Sequence, residues 1–284
     1  MRKTILWGTM VLGVIGVVCA GMAWAEMVVH LRNGQEIRLP VDKGDVARIE
    51  YTDNKSVATG TGAPWTVDSE GGIYRRARNN WQRMPGLAND IGVGANGSVW
   101  IIGTDATGGG YGIYNWNGAD WTRIDGGAVR IAVAPDGAPW IVNSEGGIYR
   151  RARNSWQRMP GLANDIGVGA NGSVWIIGTD ATGGGYGIYN WNGADWTRID
   201  GGAVRIAVAP DGAPWIVNSE GGIYRRTRNS WQRMPGLAKD IGVGANGSVW
   251  IIGADVTGGG YGIYHWNGSD WTRIDGGAVG ISVR

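Results

Sequence analysis

The chain has 284 residues, of which 53 are glycine, 17 are tryptophan and none is phenylalanine. Lysine and arginine number 26 against 24 aspartates and glutamates. Arg2 and Lys3 lie in an N-terminal targeting segment, and without them the balance is 26 − 2 = 24 basic against 24 acidic residues. A neutral protein has no global attraction for nucleic acid, so a basic binding surface would have to be local.

Residues 1–25 are predicted to be a secretory signal peptide. Arg2 and Lys3 precede an apolar run from Ile5 to Met22, and Ala23-Trp24-Ala25 fits a cleavage site before Glu26. The uncharged stretch 4–25 is also just long enough to span a bilayer, so a retained anchor is the alternative. Cleavage would remove Cys19, the one cysteine, and with it thiol and disulfide chemistry. We therefore expect an exported protein, periplasmic or extracellular and at most peripheral to a membrane.

Residues 26–61 precede the repeats and are predicted to form a small β appendage. Two extended runs, 28–32 and 36–39, flank Asn33-Gly34, a dipeptide that favours a two-residue hairpin turn. A third extended run covers 46–51. The appendage either packs on the rest of the protein or attaches it to something else.

Residues 62–284 consist of a duplicated unit of about 75 residues. The unit 62–136 differs from the unit 137–211 at only three positions, and a third unit begins at Gly212. Each unit is itself double, because the Ile-Tyr pairs recur at alternating spacings of 40 and 35 residues. These pairs end at Tyr74, Tyr114, Tyr149, Tyr189, Tyr224 and Tyr264. Six modules of 35–40 residues at a regular period indicate a repeat architecture.

Each module is predicted to contain four short strands. The first, as in residues 91–94, has glycine or alanine at alternate positions, which lets inner strands crowd around an axis. The second, 99–102, is apolar on both faces, and the fourth, 121–124, alternates polar and apolar residues as an outer edge strand does. Asn-Gly and Asp-Gly dipeptides supply the turns. The expected fold class is all-β: a six-bladed β-propeller of four-stranded antiparallel blades over residues 62–284.

The two ends of the repeat predict how the ring closes. Residues 278–284 resemble an inner strand with no second strand after it, whereas 62–65 resemble a second strand without a good inner strand before it. We expect residues 278–284 to supply the inner strand of the first blade. A helical solenoid is disfavoured because no segment has a 3.6-residue apolar period.

The modules resemble the tectonin family. Its motif IxVGxxGxVW is present from Ile91 to Trp100, followed by Ile113-Tyr114 and Trp121, with close variants in all six modules. The resemblance covers residues 62–284 and implies β-propeller repeats. Animal members of the family bind sugars or bacterial lipopolysaccharide, and others serve as interaction scaffolds.

Catalysis is not expected. The two histidines, His30 and His265, do not recur, while most carboxylates recur in threes. A glycosidase needs two carboxylates at one asymmetric centre, which three nearly equal copies of a loop do not readily build. The turns also lack the Ser and Thr of a sialidase Asp-box. We expect no enzymatic activity, no cofactor and no metal.

Two sets of turns, predicted to share one face of the propeller, carry the candidate ligand-binding residues. The first set is Trp116, Asn117 and Asp120 with the copies Trp191, Asn192, Asp195, Trp266, Asn267 and Asp270. The second set is Arg76 and Arg78 with the copies Arg151, Arg153, Arg226 and Arg228. A tryptophan can stack on a pyranose, Asn and Asp can bond its hydroxyls, and Arg can pair with phosphate or carboxylate. The alternatives are that the tryptophans pack between blades and that the arginines are solvated edges.

The Gly-rich segment 103–110, present only in the longer modules, is predicted to be a connecting loop on the opposite face. It lacks a phosphate-binding lysine and a following helix, and one Asp is too few oxygens for Ca²⁺. The sequence thus favours a lectin-like protein that binds glycans or lipopolysaccharide-type sugars through three weak, equivalent sites. The alternative is a protein-interaction scaffold of the cell envelope, docked through residues 26–61. Nucleic acid is not an expected partner.

Overall fold

A computed structural model describes residues 62–284 in full and the backbone of three earlier strands. The chain divides into two compact units, Met1–Ser56 and Val57–Arg284. In the part of the chain described here, no helix is long and apolar enough to cross a membrane.

The described part of the first unit is an antiparallel sheet in the order β1-β2-β3. Its strands are β1 (Val14–Val17), β2 (Trp24–His30) and β3 (Glu36–Asp42). His30 of β2 pairs with Glu36 of β3. Asn33-Gly34, the predicted hairpin turn, lies outside the described residues. β2 runs through the predicted cleavage point. Cys19 and the predicted strand 46–51 lie outside the described residues, and signal-peptide cleavage stays a prediction.

The second unit is built from consecutive strands joined by short turns. In chain order they are β4 (Pro64–Val67), β5 (Gly72–Ala77), β6 (Asn80–Leu87), β7 (Asp90–Val93), β8 (Val99–Thr107), β9 (Gly110–Trp116), β10 (Trp121–Ala128), β11 (Arg130–Val133), β12 (Pro139–Val142), β13 (Gly147–Ala152), β14 (Ser155–Leu162), β15 (Asp165–Val168), β16 (Val174–Thr182), β17 (Gly185–Trp191), β18 (Trp196–Ala203), β19 (Arg205–Val208), β20 (Pro214–Val217), β21 (Gly222–Thr227), β22 (Ser230–Val243), β23 (Val249–Thr257), β24 (Gly260–Trp266), β25 (Trp271–Ala278) and β26 (Gly280–Val283).

These strands form antiparallel sheets. The four-stranded sheets have the orders β10-β9-β8-β7, β11-β12-β13-β14, β15-β16-β17-β18 and β26-β4-β5-β6. Strands β19 to β25 form a seven-stranded sheet, in which β22 pairs with β21 through residues 230–237 and with β23 through 238–243. The predicted all-β class with four-stranded antiparallel sheets is confirmed.

Packing between sheets explains the composition of the strands. All four residues of β12 are buried, as expected for a strand that is apolar on both faces and lies between neighbouring sheets. In β7, a Cβ added at Gly92 would lie 3.0 Å from Val133 Cγ2. Inner strands approach so closely there that a larger side chain would force the neighbouring valine to move.

The inner strands surround one central cavity, lined by residues of β7, β11, β15, β19, β22 and β26. At the ends of the repeat, β26 pairs with β4, with Gly280 opposite Val67 and Val283 opposite Pro64. The two ends therefore meet in one sheet. Four-stranded sheets arranged radially around a central cavity form a β-propeller.

The segment 103–110 differs from its prediction as a loop. β8 continues through a bulge to Thr107, which pairs with Gly110 around a tight turn at Gly108 and Gly109. The turn also contacts the next sheet, because Ser144 N donates a hydrogen bond of 2.9 Å to Gly109 O. The extra residues lengthen a hairpin that holds two sheets together.

Candidate functional site

The turns 77–80, 94–98 and 116–121, with their copies, define what we call the upper face. In the turn 116–121, Asn117 Oδ1 accepts hydrogen bonds of 2.9 Å from the N–H groups of Ala119 and Asp120. Asn117 Nδ2 donates to Thr122 Oγ1 at 3.2 Å, and Asp120 Oδ1 accepts from Trp121 N at 2.8 Å. The copies at Asn192, Asp195, Asn267 and Asp270 make the same bonds. The amide of Asn117 therefore shapes its own turn, while Asp120 lies exposed on the upper face.

Trp116 both packs in the protein and lines a cleft. Its ring meets that of Trp121 edge to face, with centroids 4.9 Å apart, and it packs against the core cluster that contains Trp65. Trp191 and Trp266 have the same relation to Trp196 and Trp271, at 5.0 Å. Each of the three is half-buried. Packing between sheets, the alternative considered from the sequence, thus accounts for one side of the ring.

Arg76 joins two sheets. Its NH1 donates to Asp275 Oδ1 at 2.7 Å, and its guanidinium lies 5.1 Å from the ring centroid of Trp81. Arg151 with Asp125 and Arg226 with Asp200 repeat the arrangement at 2.5 Å. The Arg76 side chain is only 12% exposed. Much of its charge is therefore already compensated by an aspartate of the neighbouring sheet.

Arg78 has the opposite character. It is exposed at the tip of the hairpin 77–80 and has a φ of 55°, and Arg153 and Arg228 have φ values of 56° and 54°. This left-handed conformation favours glycine and costs an arginine about 1 kcal/mol. Of the predicted arginines, these three present their guanidinium groups to solvent.

A cleft on the upper face brings together one residue of each predicted set, Trp116 and Arg76, whereas Asn117, Asp120 and Arg78 are not among its lining residues. Between the sheet of β4 and the sheet of β8 it has a volume of about 230 Å³ and is lined by Trp65, Arg75, Arg76, Trp116 and Arg284, among others. Arg75 lies 5.9 Å from the Trp65 ring centroid and donates to Gln82 Oε1 at 2.8 Å. An indole and fixed guanidinium groups thus share one concave surface.

The equivalent cleft between the sheets of β12 and β16 has a volume of about 470 Å³. Trp140 and Arg150 repeat the stacking of Trp65 and Arg75, also at 5.9 Å. Arg151, Arg153 and Asp136 line the same cleft. At the third equivalent position, Arg225 lies 5.8 Å from the Trp215 ring centroid. Trp65, Arg75 and their copies were not predicted, although the recurring Ile-Tyr-Arg-Arg sequence could have signalled them.

Comparison with known proteins agrees with this geometry. The sequence profile of the Tectonin domain matches residues 53–155, 128–229 and 204–283. The chain belongs to the tectonin family. A comparison with curated protein sequences gives no match.

Two solved structures are similar to this tectonin propeller in fold. A protein of unknown function from Bacteroides caccae has 9% identity and a TM-score of 0.54, covering 78% of this chain and 98% of that chain. A protein assigned as TolB from Agrobacterium tumefaciens has 15% identity and a TM-score of 0.51, covering 75% and 87%. At such identities the likeness shows the fold alone.

The tectonin repeats also bring charged residues to the axis, which sequence reasoning missed. Asp90, Asp165 and Asp240 line the central cavity. Asp90 and Asp165 begin β7 and β15, and Asp240 lies in the inner part of β22. Each accepts a hydrogen bond of 2.8–2.9 Å from a backbone N–H of the next inner strand. Arg130 Nε lies 3.6 Å from Asp165, and Arg205 Nε lies 3.6 Å from Asp240. Gly280 stands where a third arginine would complete the ring.

This ring changes the acidity of its carboxyl groups. Burial raises the pKa of Asp90 to about 6 and that of Asp240 to about 7, against the lowering effect of the arginines. Burial also raises the pKa of Asp165. Burial alone would lower the pKa of Arg130, but the aspartates outweigh it and raise that pKa. In the described part of the chain, no group of three or more His, Cys, Asp or Glu has the arrangement to hold a metal ion.

The lower face, opposite the upper one, carries a further cleft of about 400 Å³ lined by Asp68, Glu70, Tyr74 and Trp81. In the extended hairpin of β8 and β9, Asp105 Oδ2 lies 3.8 Å from Arg123 Nε. The pKa of Tyr114 is raised by burial and by its hydrogen bond to Asp105. Asp105 therefore supports the long hairpin of its tectonin repeat.

Proposed function

We propose that this tectonin propeller is an exported, non-catalytic carbohydrate-binding protein for glycans that include anionic sugars. The observation that carries the proposal is the stacked pair of Trp65 and Arg75 beside Trp116 in one upper-face cleft. Indole rings contact the apolar face of a pyranose, and guanidinium groups pair with carboxylate or phosphate. Export is supported by the signal-like sequence of residues 1–25.

We further propose that the propeller has six blades. The seven-stranded sheet is then two blades joined because β22 continues from an outer strand into the next inner strand. Six inner strands around the central cavity support this count.

Three copies of the Trp-Arg pair favour binding to a repetitive surface. Each unit of about 75 residues carries the same Trp-Arg pair, at Trp65, Trp140 and Trp215. Weak sites that bind one surface together gain apparent affinity through effective concentration. A dense glycan coat presents such a surface.

A glycan array with the purified chain tests the proposal, using neutral sugars, uronic acids, sugar phosphates and lipopolysaccharide fragments at low and moderate salt. We expect binding to a defined sugar class, weaker at higher salt for the charged members. The test variant replaces the half-buried Trp116, Trp191 and Trp266 by Ala. A blank array from the folded chain, or equal binding by this variant, would contradict the proposed site.

The alternative, a protein-interaction scaffold, is favoured by an observation on the lower face. Leu87, Leu162 and Leu237 are 46%, 45% and 48% exposed at equivalent positions. They would give a protein partner one apolar contact in each unit of about 75 residues. Replacing the three leucines by Ser and comparing captured envelope proteins would test this function. Loss of a partner with glycan binding intact would assign that face to a protein.

A further inference from the structure

The three upper-face clefts are not equivalent. Strands β11, β19 and β26 occupy the same position in their sheets, but one of them is followed by a different residue type from the other two. The following residue is Ala134 after β11, Ala209 after β19 and Arg284 after β26. One cleft therefore has a guanidinium group where the other two have a methyl group.

The backbone of Arg284 is held in place on the upper face. Its carbonyl oxygen accepts a hydrogen bond of 3.0 Å from Ala245 N. The guanidinium lies against Gly97, since a Cβ added there would be 3.0 Å from the Arg284 Cζ. The space above Gly172 and Gly247 is open, with no atom within 4 Å of such a Cβ. Arg284 thus fills a position that is empty in the other two clefts.

The guanidinium of Arg284 has unused bonding capacity. Its Nε is buried and makes no hydrogen bond to any described residue. A buried donor without an acceptor is costly, and an anion that accepts this bond would remove the cost. The donor lines the same cleft as Arg75, Arg76 and Trp116.

The charged residues that line the Arg284 cleft also differ from those that line the Trp140 cleft. The lining of the Arg284 cleft contains three arginines and no Asp or Glu side chain among the described residues. The cleft of Trp140 also has three arginines, but Asp136 lines it as well. The volumes of the two clefts are about 230 Å³ and 470 Å³, so the Arg284 cleft is the smaller one.

We infer that the Arg284 cleft is a dedicated site for an acidic pyranose, one whose carboxylate or phosphate pairs with Arg284 and Arg75 while its ring contacts Trp116. The other two clefts take neutral sugars or bind acidic ones more weakly. This inference rests on the proposed function, because it assigns the charged member of the ligand class to one of three clefts. The protein then has one strong site for acidic sugar and two weaker sites.

Titration calorimetry with D-glucuronate, glucose 6-phosphate and glucose tests this assignment. Arg284→Ala copies the alanine of the other two clefts, so the fold tolerates it. Ala209→Arg installs the arginine in a second cleft. We expect Arg284→Ala to weaken binding of the charged probes by about tenfold or more, with glucose unchanged. Ala209→Arg should raise the number of strong sites for them from one to two.

A direct readout is the ¹⁵N–¹H signal of Arg284 Nε, assigned by its loss in Arg284→Ala. It should shift with a charged probe and not with glucose. A preference for glucuronate or for glucose 6-phosphate identifies the anion that the site selects. Equal binding of charged probes to wild type and Arg284→Ala would overturn the inference and leave glycan binding intact. The inference would also be overturned if neither charged probe binds the wild-type protein at millimolar concentration. The proposed function is tested separately, by the glycan array.

Discussion

Arg76 and Asp275 are 199 positions apart in the chain, and their side chains are 2.7 Å apart across two neighbouring sheets. Trp81 Nε1 donates to the backbone oxygen of the same Asp275, also at 2.7 Å. The same contacts recur between Arg151 and Asp125, which are 26 positions apart. The boundary where the two ends of the repeat meet is therefore held by the same interaction as the boundaries within it.

We expect Asp275→Ala to lower the free energy of unfolding by about 1 kcal/mol, because Arg76 loses a charged partner at a half-buried site. Asp125→Ala should have an equal effect, since its arginine has the same geometry. Chemical denaturation measures both. Glu70→Ala, at an exposed residue, is the control and should change stability little. A much larger effect at Asp275 would mean that the closing boundary is weaker than the others.

The central aspartates predict that stability depends on pH. With pKa values of about 6 for Asp90 and about 7 for Asp240, against 3.8 for an ordinary Asp, the folded protein holds more protons than the unfolded chain between about pH 4 and 7. The contribution of these two carboxyl groups to stability should therefore be largest below about pH 4 and fall as the pH rises through this range. Asp90→Asn keeps an acceptor for Ile131 N and should gain on the order of 2–3 kcal/mol at pH 8, and little near pH 4.

Urea denaturation at several pH values checks this. Asp136→Asn is the control. Asp136 is exposed, and an Asn at this position still accepts the hydrogen bond from Ala138 N. Equal pH profiles for wild type and Asp90→Asn would contradict the raised pKa of Asp90.

Gly280→Arg should complete the central ring. A Cβ at Gly280 would meet nothing closer than 3.9 Å, and its backbone is compatible with any residue. By analogy with Arg130 and Arg205, the new side chain should pair with Asp90 and raise stability at pH 8. In the Asp90→Asn background the gain should disappear, which a double-mutant cycle measures. A gain that persists there would show that the arginine acts through packing.

A triple variant distinguishes the effect of the three exposed arginines on stability from their effect on glycan binding. It carries Arg78→Gly, Arg153→Gly and Arg228→Gly. Glycine accepts the positive φ without strain, so each change should raise the free energy of unfolding by up to about 1 kcal/mol. Binding of acidic glycans should weaken if these exposed arginines contact the ligand. The matched variant with three alanines loses the same charges and keeps the strained φ. It should bind as the glycine variant does and be less stable.

The local pattern of residues was sufficient to predict the strand content, the four-stranded sheets and the membership of the tectonin family. Alternating glycine, paired β-branched residues and Asn-Gly or Asp-Gly turns act within a few residues, so they can be recognised in a single module. The turn at Asn117 and the exposed Arg78 also follow from local sequence. Segment 103–110 was predicted as a loop because its glycines hide the bulged extension of β8.

What the sequence by itself determined is the repeating module and its upper-face turns. Only the tertiary structure decided which copies of a residue meet. A ring brings positions about 75 residues apart to one axis, so Asp90, Asp165 and Asp240 share a cavity and acquire raised pKa values that no single module has. The same closure neutralises Arg76 with Asp275 and sets Arg284 over Gly97. Burial and charge at these residues depend on side chains of neighbouring sheets. The separation of two residues along the sequence does not tell how far apart they are in the folded ring.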